Sequence, residues 1–266
     1  MKIAIAFLTT IPHPNTIKFA SEIKTQLGYD TFIIADDNTV SLYFNDVHLI
    51  QMNDNCTKQY INSNINNSAT HIKKNPIAMD KFLYAFCENY TEYDFVYVFE
   101  DDVFIPSLFT IKNLIDKYKD YDLVTPNNFA KNDRIPDWHW RHIFSRFPKR
   151  TEPFYYSMVC AMGLSRKMFD AIKEYAFINQ SLFYVEVMFN TLAYDNKLNV
   201  ICPLELKSIV WLGKWDVDEF LLLPNNVFHP RKDIGNHYNL REQSLSLELS
   251  NYTPKNNLPS FIQELL

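Results

Sequence analysis

Apolar and polar positions alternate along this chain in a way that lays out strands and helices in turn. Lys2 to Thr9 is almost continuously apolar and predicts a first strand. Ile11–Thr16 reads as a loop, with Thr16 placed to cap a helix over Ile17 to Leu27. Ile17, Phe19, Ala20, Ile23 and Leu27 give that helix its apolar face, and Gly28 ends it. A second strand is expected over Thr31–Ala35 and a third over Val47–Gln51. Residues 52–75 are rich in Asn, Ser and Thr and read as a surface segment. Pro76–Tyr90 returns to helical spacing, with Ile77, Met79, Phe82, Leu83, Phe86 and Cys87 on one face.

The centre of the pattern is Phe95-Val-Tyr-Val-Phe, five apolar residues that predict a strand buried on both faces. Glu100, Asp101 and Asp102 follow it directly. In an open α/β sheet, ligands bind just beyond the carboxyl ends of such strands. Three adjacent carboxylates there either bind a hard divalent cation such as Mn²⁺ or Mg²⁺ or form a solvated acidic turn. Downstream, an amphipathic helix over Leu108–Tyr118 and a strand over Asp122–Thr125 are expected. A strand over Phe154–Met162 and a helix over Lys167–Tyr175 capped by Ser165 follow, then short strands at Leu198–Ile201 and Ile209–Leu212. The polar tail beyond about residue 240 leaves room for one terminal helix.

Composition narrows the chemistry. The 266 residues carry a formal net charge of −5, which disfavours nucleic acid as the main ligand. Four glycines stand far apart, so neither a G-x-G-x-x-G fingerprint nor a Walker-type loop is present, and any bound nucleotide needs its phosphates neutralised another way. The four cysteines form no C-x-x-C pair, and Cys87 and Cys160 read as small core residues. No apolar run approaches bilayer-spanning length, and the N-terminal apolar run leads into Pro12 and Pro14 without a cleavage site, so a soluble, cytoplasmic protein is expected.

Several other positions carry candidate chemistry, each with a structural alternative. Asp36 and Asp37 follow the second strand, where a ribose or base is often held, or they form an Asx-rich turn. Lys81 could reach a phosphate from its helix, or could be solvated. Trp138, His139 and Trp140 lie on a polar loop as a stacking platform for sugar rings or as buried anchors. Glu186 is the one acid in the apolar run Leu182–Tyr194, so it is either salt-bridged or works as a base. His229, Arg231 and Lys232 place a histidine and two cations near the end of the fold.

Taken in order, these pieces resemble the GT-A glycosyltransferases that use nucleotide-diphosphate sugars. The resemblance covers roughly residues 1–235 and rests on an opening β-α-β, a helix, and a strand ending in Glu100-Asp101-Asp102, which is similar to the family's DxD motif. Gly163-Leu-Ser-Arg-Lys, Glu186 in Phe-Tyr-Val-Glu-Val and Phe228-His229-Pro-Arg-Lys follow in the family's order. It implies a single GT-A-like (Rossmann-like) α/β domain with a mixed central sheet flanked by helices. Residues 1–125 would form the nucleotide-sugar half, 126–240 the acceptor half and 241–266 a tail. It further implies Mn²⁺ or Mg²⁺ on Asp102, Asp101 and His229, and a donor diphosphate near Glu100, Lys81, Arg231 and Lys232. The nucleoside would lie near Asp36 and Asp37, and a glycan acceptor near Trp138, His139 and Trp140. Glu186 would be the base of an inverting transfer. A metal-dependent phosphohydrolase or nucleotidyltransferase, and a sugar-binding module without turnover, are the alternatives.

Overall fold

The computed structural model describes residues 1–36, 46–52, 57, 59–60, 77–130, 154–211, 215 and 217–247. Its frame is a seven-stranded mixed sheet. The strands are β1 (Ile3–Thr9), β2 (Asp30–Ala35), β3 (His48–Ile50), β4 (Phe95–Glu100), β5 (Leu123–Val124), β8 (Ala161–Ser165) and β9 (Val200–Ile201). A separate pair joins β6 (Phe129–Ala130) to β7 (Tyr155–Tyr156). The sheet order is β3-β2-β1-β4-β8-β5-β9. Only β8 runs against its neighbours, pairing antiparallel with both β4 and β5.

The period-two alternation of each strand divides the core into two layers. Ala4, Ala6 and Leu8 of β1 face one side with Val96 and Val98 of β4. There they pack against α2 (Ala78–Tyr84), α4 (Arg166–Asn179) and α5 (Val185–Asp195). Ile5, Phe7, Phe95, Tyr97 and Phe99 face the other side against α1 (Pro14–Glu22) and α3 (Leu108–Tyr118). Helices on both faces explain why β4 is apolar at five successive positions instead of alternating. α5 is apolar nearly all round because Val185–Ala193 are buried at every position in the first layer.

The chain reverses its winding direction between β1 and β4. β2 and β3 are added on one side of β1, and β4 pairs on the other. A crevice forms at the carboxyl ends of strands at such a point. A third cluster of Phe104, Trp215, Phe220, Phe228 and Leu240 lies beside that crevice, with α6 (Val217–Leu222) and α7 (His237–Leu247). Among the described residues, no helix is long and apolar enough to cross a membrane.

Several expected boundaries move, for identifiable reasons. α1 begins at Pro14, whose fixed φ suits a first helical position, so His13 is the cap and its Nδ1 accepts from the Asn15 amide at 3.1 Å. Thr16 is therefore buried inside the helix and does not cap it. The helix continues as a wider turn over Ile23–Leu27 before Gly28 closes it with φ 77°. The single strand expected over Phe154–Met162 is two, because the chain leaves β7 and joins the main sheet only at β8. The strand expected at Ile209–Leu212 reduces to one bridge between Ile209 and His229. Ser165 caps α4 as expected, accepting from the Met168 amide at 3.2 Å.

Candidate active site at the carboxyl end of the sheet

The carboxyl ends of β1, β2 and β4 and the start of α2 enclose an open cavity of about 270 Å³. It is lined by Leu8–Thr10, Asp36, Glu100–Asp102 and Ile77–Met79. Sheet register puts the acids there. Glu100 pairs with Leu8, its amide donates to the Cys160 carbonyl at 2.8 Å, and the Asp101 amide donates to the Leu8 carbonyl at 2.9 Å. The three acids are thereby fixed at the point where the strand leaves the core.

His229 arrives from the far end of the chain by a backbone zipper. Phe104 and Phe228 exchange two hydrogen bonds of 2.8 and 2.9 Å, and the Arg231 amide donates to the Asp102 carbonyl at 2.7 Å. The imidazole, 7% exposed, places Nε2 3.4 Å from Asp102 Oδ1. Its Nδ1 lies 2.9 Å from the Val210 carbonyl, which can only accept, so Nδ1 carries a proton. That bond fixes the ring and turns Nε2 toward the acids, the arrangement typical of a metal-binding histidine. Burial lowers the proton affinity of His229, but the neighbouring Asp102 carboxylate outweighs it and leaves its pKa raised.

The acids resist being ionised together. Burial first, then the neighbouring Asp102 charge, raises the pKa of Glu100. Burial also raises that of Asp101, helped by Asp102, although the Thr9 hydroxyl donates to Asp101 Oδ2 at 2.5 Å and opposes the shift. Asp102 Oδ1 is buried and makes no hydrogen bond with the described residues. Carboxylate oxygens and one imidazole nitrogen, with an orphaned acceptor among them, suit a hard divalent cation.

Glu186 sits in the first turn of α5, buried at 8% exposure. Tyr184 donates a hydrogen bond to its Oε2, while the Tyr156 hydroxyl, which donates to Met158 Sδ at 3.6 Å, lies near enough to the same carboxyl to favour its ionised form. Burial pushes its pKa up to about 7, the negative charge of Glu100 adds to the rise, and the two phenols pull against it. The charge of Glu100 in the acidic centre is felt at Glu186, although Glu186 is not among the residues lining the cavity. A carboxyl poised near neutrality beside that centre is suited to move a proton.

The other candidates fall in different places. Asp36 lines the cavity with the acids. Lys81 does not reach it as a phosphate ligand. It is fully buried, and its ammonium donates to the carbonyls of Ala35 at 3.1 Å and Asp36 at 2.6 Å, holding the end of β2. The Arg231 guanidinium donates through Nη1 to the Trp215 carbonyl at 2.9 Å, while its Nε is buried without a partner among the described residues. Lys232 is exposed. Asp37, Trp138, His139 and Trp140 lie outside the described residues.

Three members of the centre were not foreseen. Cys160, expected as core filling, precedes the reversed strand β8 and brings its Sγ within 4.8 Å of a Glu100 carboxylate oxygen. Tyr156 and Tyr184 reach Glu186 from β7 and from the residue just before α5. Tyr184, two residues from Glu186, carries a weak signal in the sequence as a polar tip in an apolar run; Tyr156 and Cys160 carry none.

No family model matches the chain, and no curated protein matches it in sequence. The assignment of function therefore rests on the site itself.

Proposed function

We propose that the protein is a metal-dependent glycosyltransferase that moves a sugar from a nucleoside-diphosphate donor to a hydroxyl of a glycan or related acceptor, with inversion. The observation that supports this reading is the meeting of two distant segments, Glu100–Asp102 and His229, at the carboxyl end of β4, with the buried Glu186 carboxyl within range of the Glu100 charge. A binding module has no need of a buried carboxyl with a pKa near 7 next to a cation site, and a proton-transferring enzyme does.

In this reading Asp102 and His229 hold Mn²⁺ or Mg²⁺, with Glu100 beside them and one Asp101 oxygen already engaged by Thr9. The bound cation supplies positive charge against the diphosphate as it leaves. Arg231, whose backbone amide holds the Asp102 carbonyl and whose Nε has no partner among the described residues, adds a fixed cation nearby. Asp36 closes the cavity toward the nucleoside. Glu186 takes the proton of the acceptor hydroxyl as that oxygen attacks the anomeric carbon from the face opposite the diphosphate. Tyr184 and Tyr156 hold the Glu186 carboxylate in place and keep it ionisable near neutral pH.

Asp102→Ala tests the proposal. The variant should lose sugar transfer from a panel of uridine and guanosine diphosphate sugars while its circular dichroism spectrum stays that of the wild type. An Asp102→Ala enzyme that transfers sugar without added metal would refute the assignment.

A further inference from the structure

The acidic centre has a donor that a Mn²⁺ or Mg²⁺ site does not need. Cys160 immediately precedes β8, and because β8 runs antiparallel to β4, its first residues lie against the end of β4. One donor atom each from Glu100, Cys160 and His229 lie within 4.8 Å of one another. Asp102 Oδ1 stands 3.4 Å from His229 Nε2, at the edge of this set of three. A carboxylate, a thiol and an imidazole are the ligand types of zinc, which binds them at about 2.0–2.3 Å, so the donors need close up by only about 1 Å. Magnesium and manganese prefer oxygen and gain little from sulfur.

We infer that this centre is also a zinc site in which Cys160 is a ligand, together with His229 and Glu100. Binding replaces the thiol proton by the metal: the S–H bond breaks, the sulfur–zinc bond forms, and the proton leaves to solvent without any electron transfer. Three protein donors leave one position of the tetrahedral sphere of zinc open to water. The inference rests on the metal reading of the site, and it does not depend on sugar transfer.

The test uses the whole chain, stripped of metal by chelation and dialysis, and reads binding directly. Zn²⁺ and Mn²⁺ are titrated separately by calorimetry, and Co²⁺ serves as a coloured stand-in for zinc. One equivalent of Zn²⁺ should bind about tenfold or more tighter than Mn²⁺. Bound Co²⁺ should show a near-ultraviolet thiolate-to-metal charge-transfer band in the wild type, a readout that needs no variant. Cys160→Ser should abolish that band and weaken Zn²⁺ by at least about tenfold, while Cys87→Ser, altered at a thiol whose partner is the Phe169 carbonyl, should retain both. Cobalt binding without the band, or a band that survives Cys160→Ser, overturns the inference. Manganese binding without the band overturns it alone and leaves the proposed function standing. Failure of every metal to bind overturns both.

Discussion

Removing the Tyr184 hydroxyl should move the protonation of Glu186 upward. Tyr184 donates to Glu186 Oε2, Tyr156 lies near the same carboxyl, and burial of the group, 8% exposed, pushes its pKa up to about 7. Both phenols favour the ionised form, against burial and the charge of Glu100. A hydrogen bond to a charged group contributes about 1.5–3 kcal/mol, and one pH unit corresponds to about 1.4 kcal/mol. Tyr184→Phe should therefore raise the pKa of Glu186 by about one to two pH units. If Glu186 is the base, the acid limb of the rate profile moves with it. Transfer well below neutrality then falls about 10- to 100-fold and recovers in alkaline buffer. The shift is also readable without any substrate, from carboxyl carbon resonances of labelled glutamate. Stability should follow the same sign. Because the folded pKa lies above the ordinary carboxylate value, this site's stability contribution is complete below about pH 4.5 and is lost as pH rises through about 7. Tyr60→Phe, which removes a phenol from the unrelated Glu88, serves as the control. An acid limb that stays in place, or moves down, in Tyr184→Phe would refute the reasoning.

Two further outcomes test the packing around the site. A Cβ at Gly163 would stand 2.7 Å from Cε1 and Cζ of the Phe95 ring and 3.0 Å from Tyr97 Cε1, both core rings, so Gly163→Ala should cost about 1–3 kcal/mol, read as a lower urea midpoint. His237 is buried against the Arg231 carbonyl, and burial pushes its pKa down to about 4, helped by the Arg241 and Arg231 charges. Its folded pKa lies below the unfolded value, so its contribution to stability is present above about pH 6.5 and is lost as pH falls toward 4. The melting temperature of His237→Gln should fall less steeply over that interval than that of the wild type, and equal slopes would contradict the assignment.

Much of this architecture is legible in the chain, because the signals are local. Five apolar residues before three acids mark β4 as the two-faced strand and place the acids at its carboxyl end, where the register with Leu8 holds them. Glu186 is legible as an exception for a related reason: a lone acid in an apolar run has a desolvation cost, and the structure buries it with the Tyr184 hydroxyl on its carboxyl and its pKa raised. Contacts set by tertiary pairing are not legible. Cys160 reads as core filling because nothing local reveals that β8 runs backwards and lays its start beside Glu100. Lys81 reads as available to a phosphate because helical spacing does not show that the Ala35 and Asp36 carbonyls close over it. His229 was singled out by resemblance, while the zipper that delivers it, Phe104 on Phe228, pairs residues 124 positions apart.

The central claim, a cation-dependent site for a nucleoside diphosphate, is tested most directly by the melting temperature. The protein is heated with uridine diphosphate, guanosine diphosphate, cytidine monophosphate and several diphosphate sugars, each with Mn²⁺ and again with EDTA. A ligand that binds only the folded chain raises the midpoint, and at about 100 times its dissociation constant it adds about 2.7 kcal/mol. The account predicts a rise with one diphosphate and its sugars in Mn²⁺ that disappears in EDTA and in Asp102→Ala. A midpoint unmoved by every nucleotide in the presence of Mn²⁺ would contradict it.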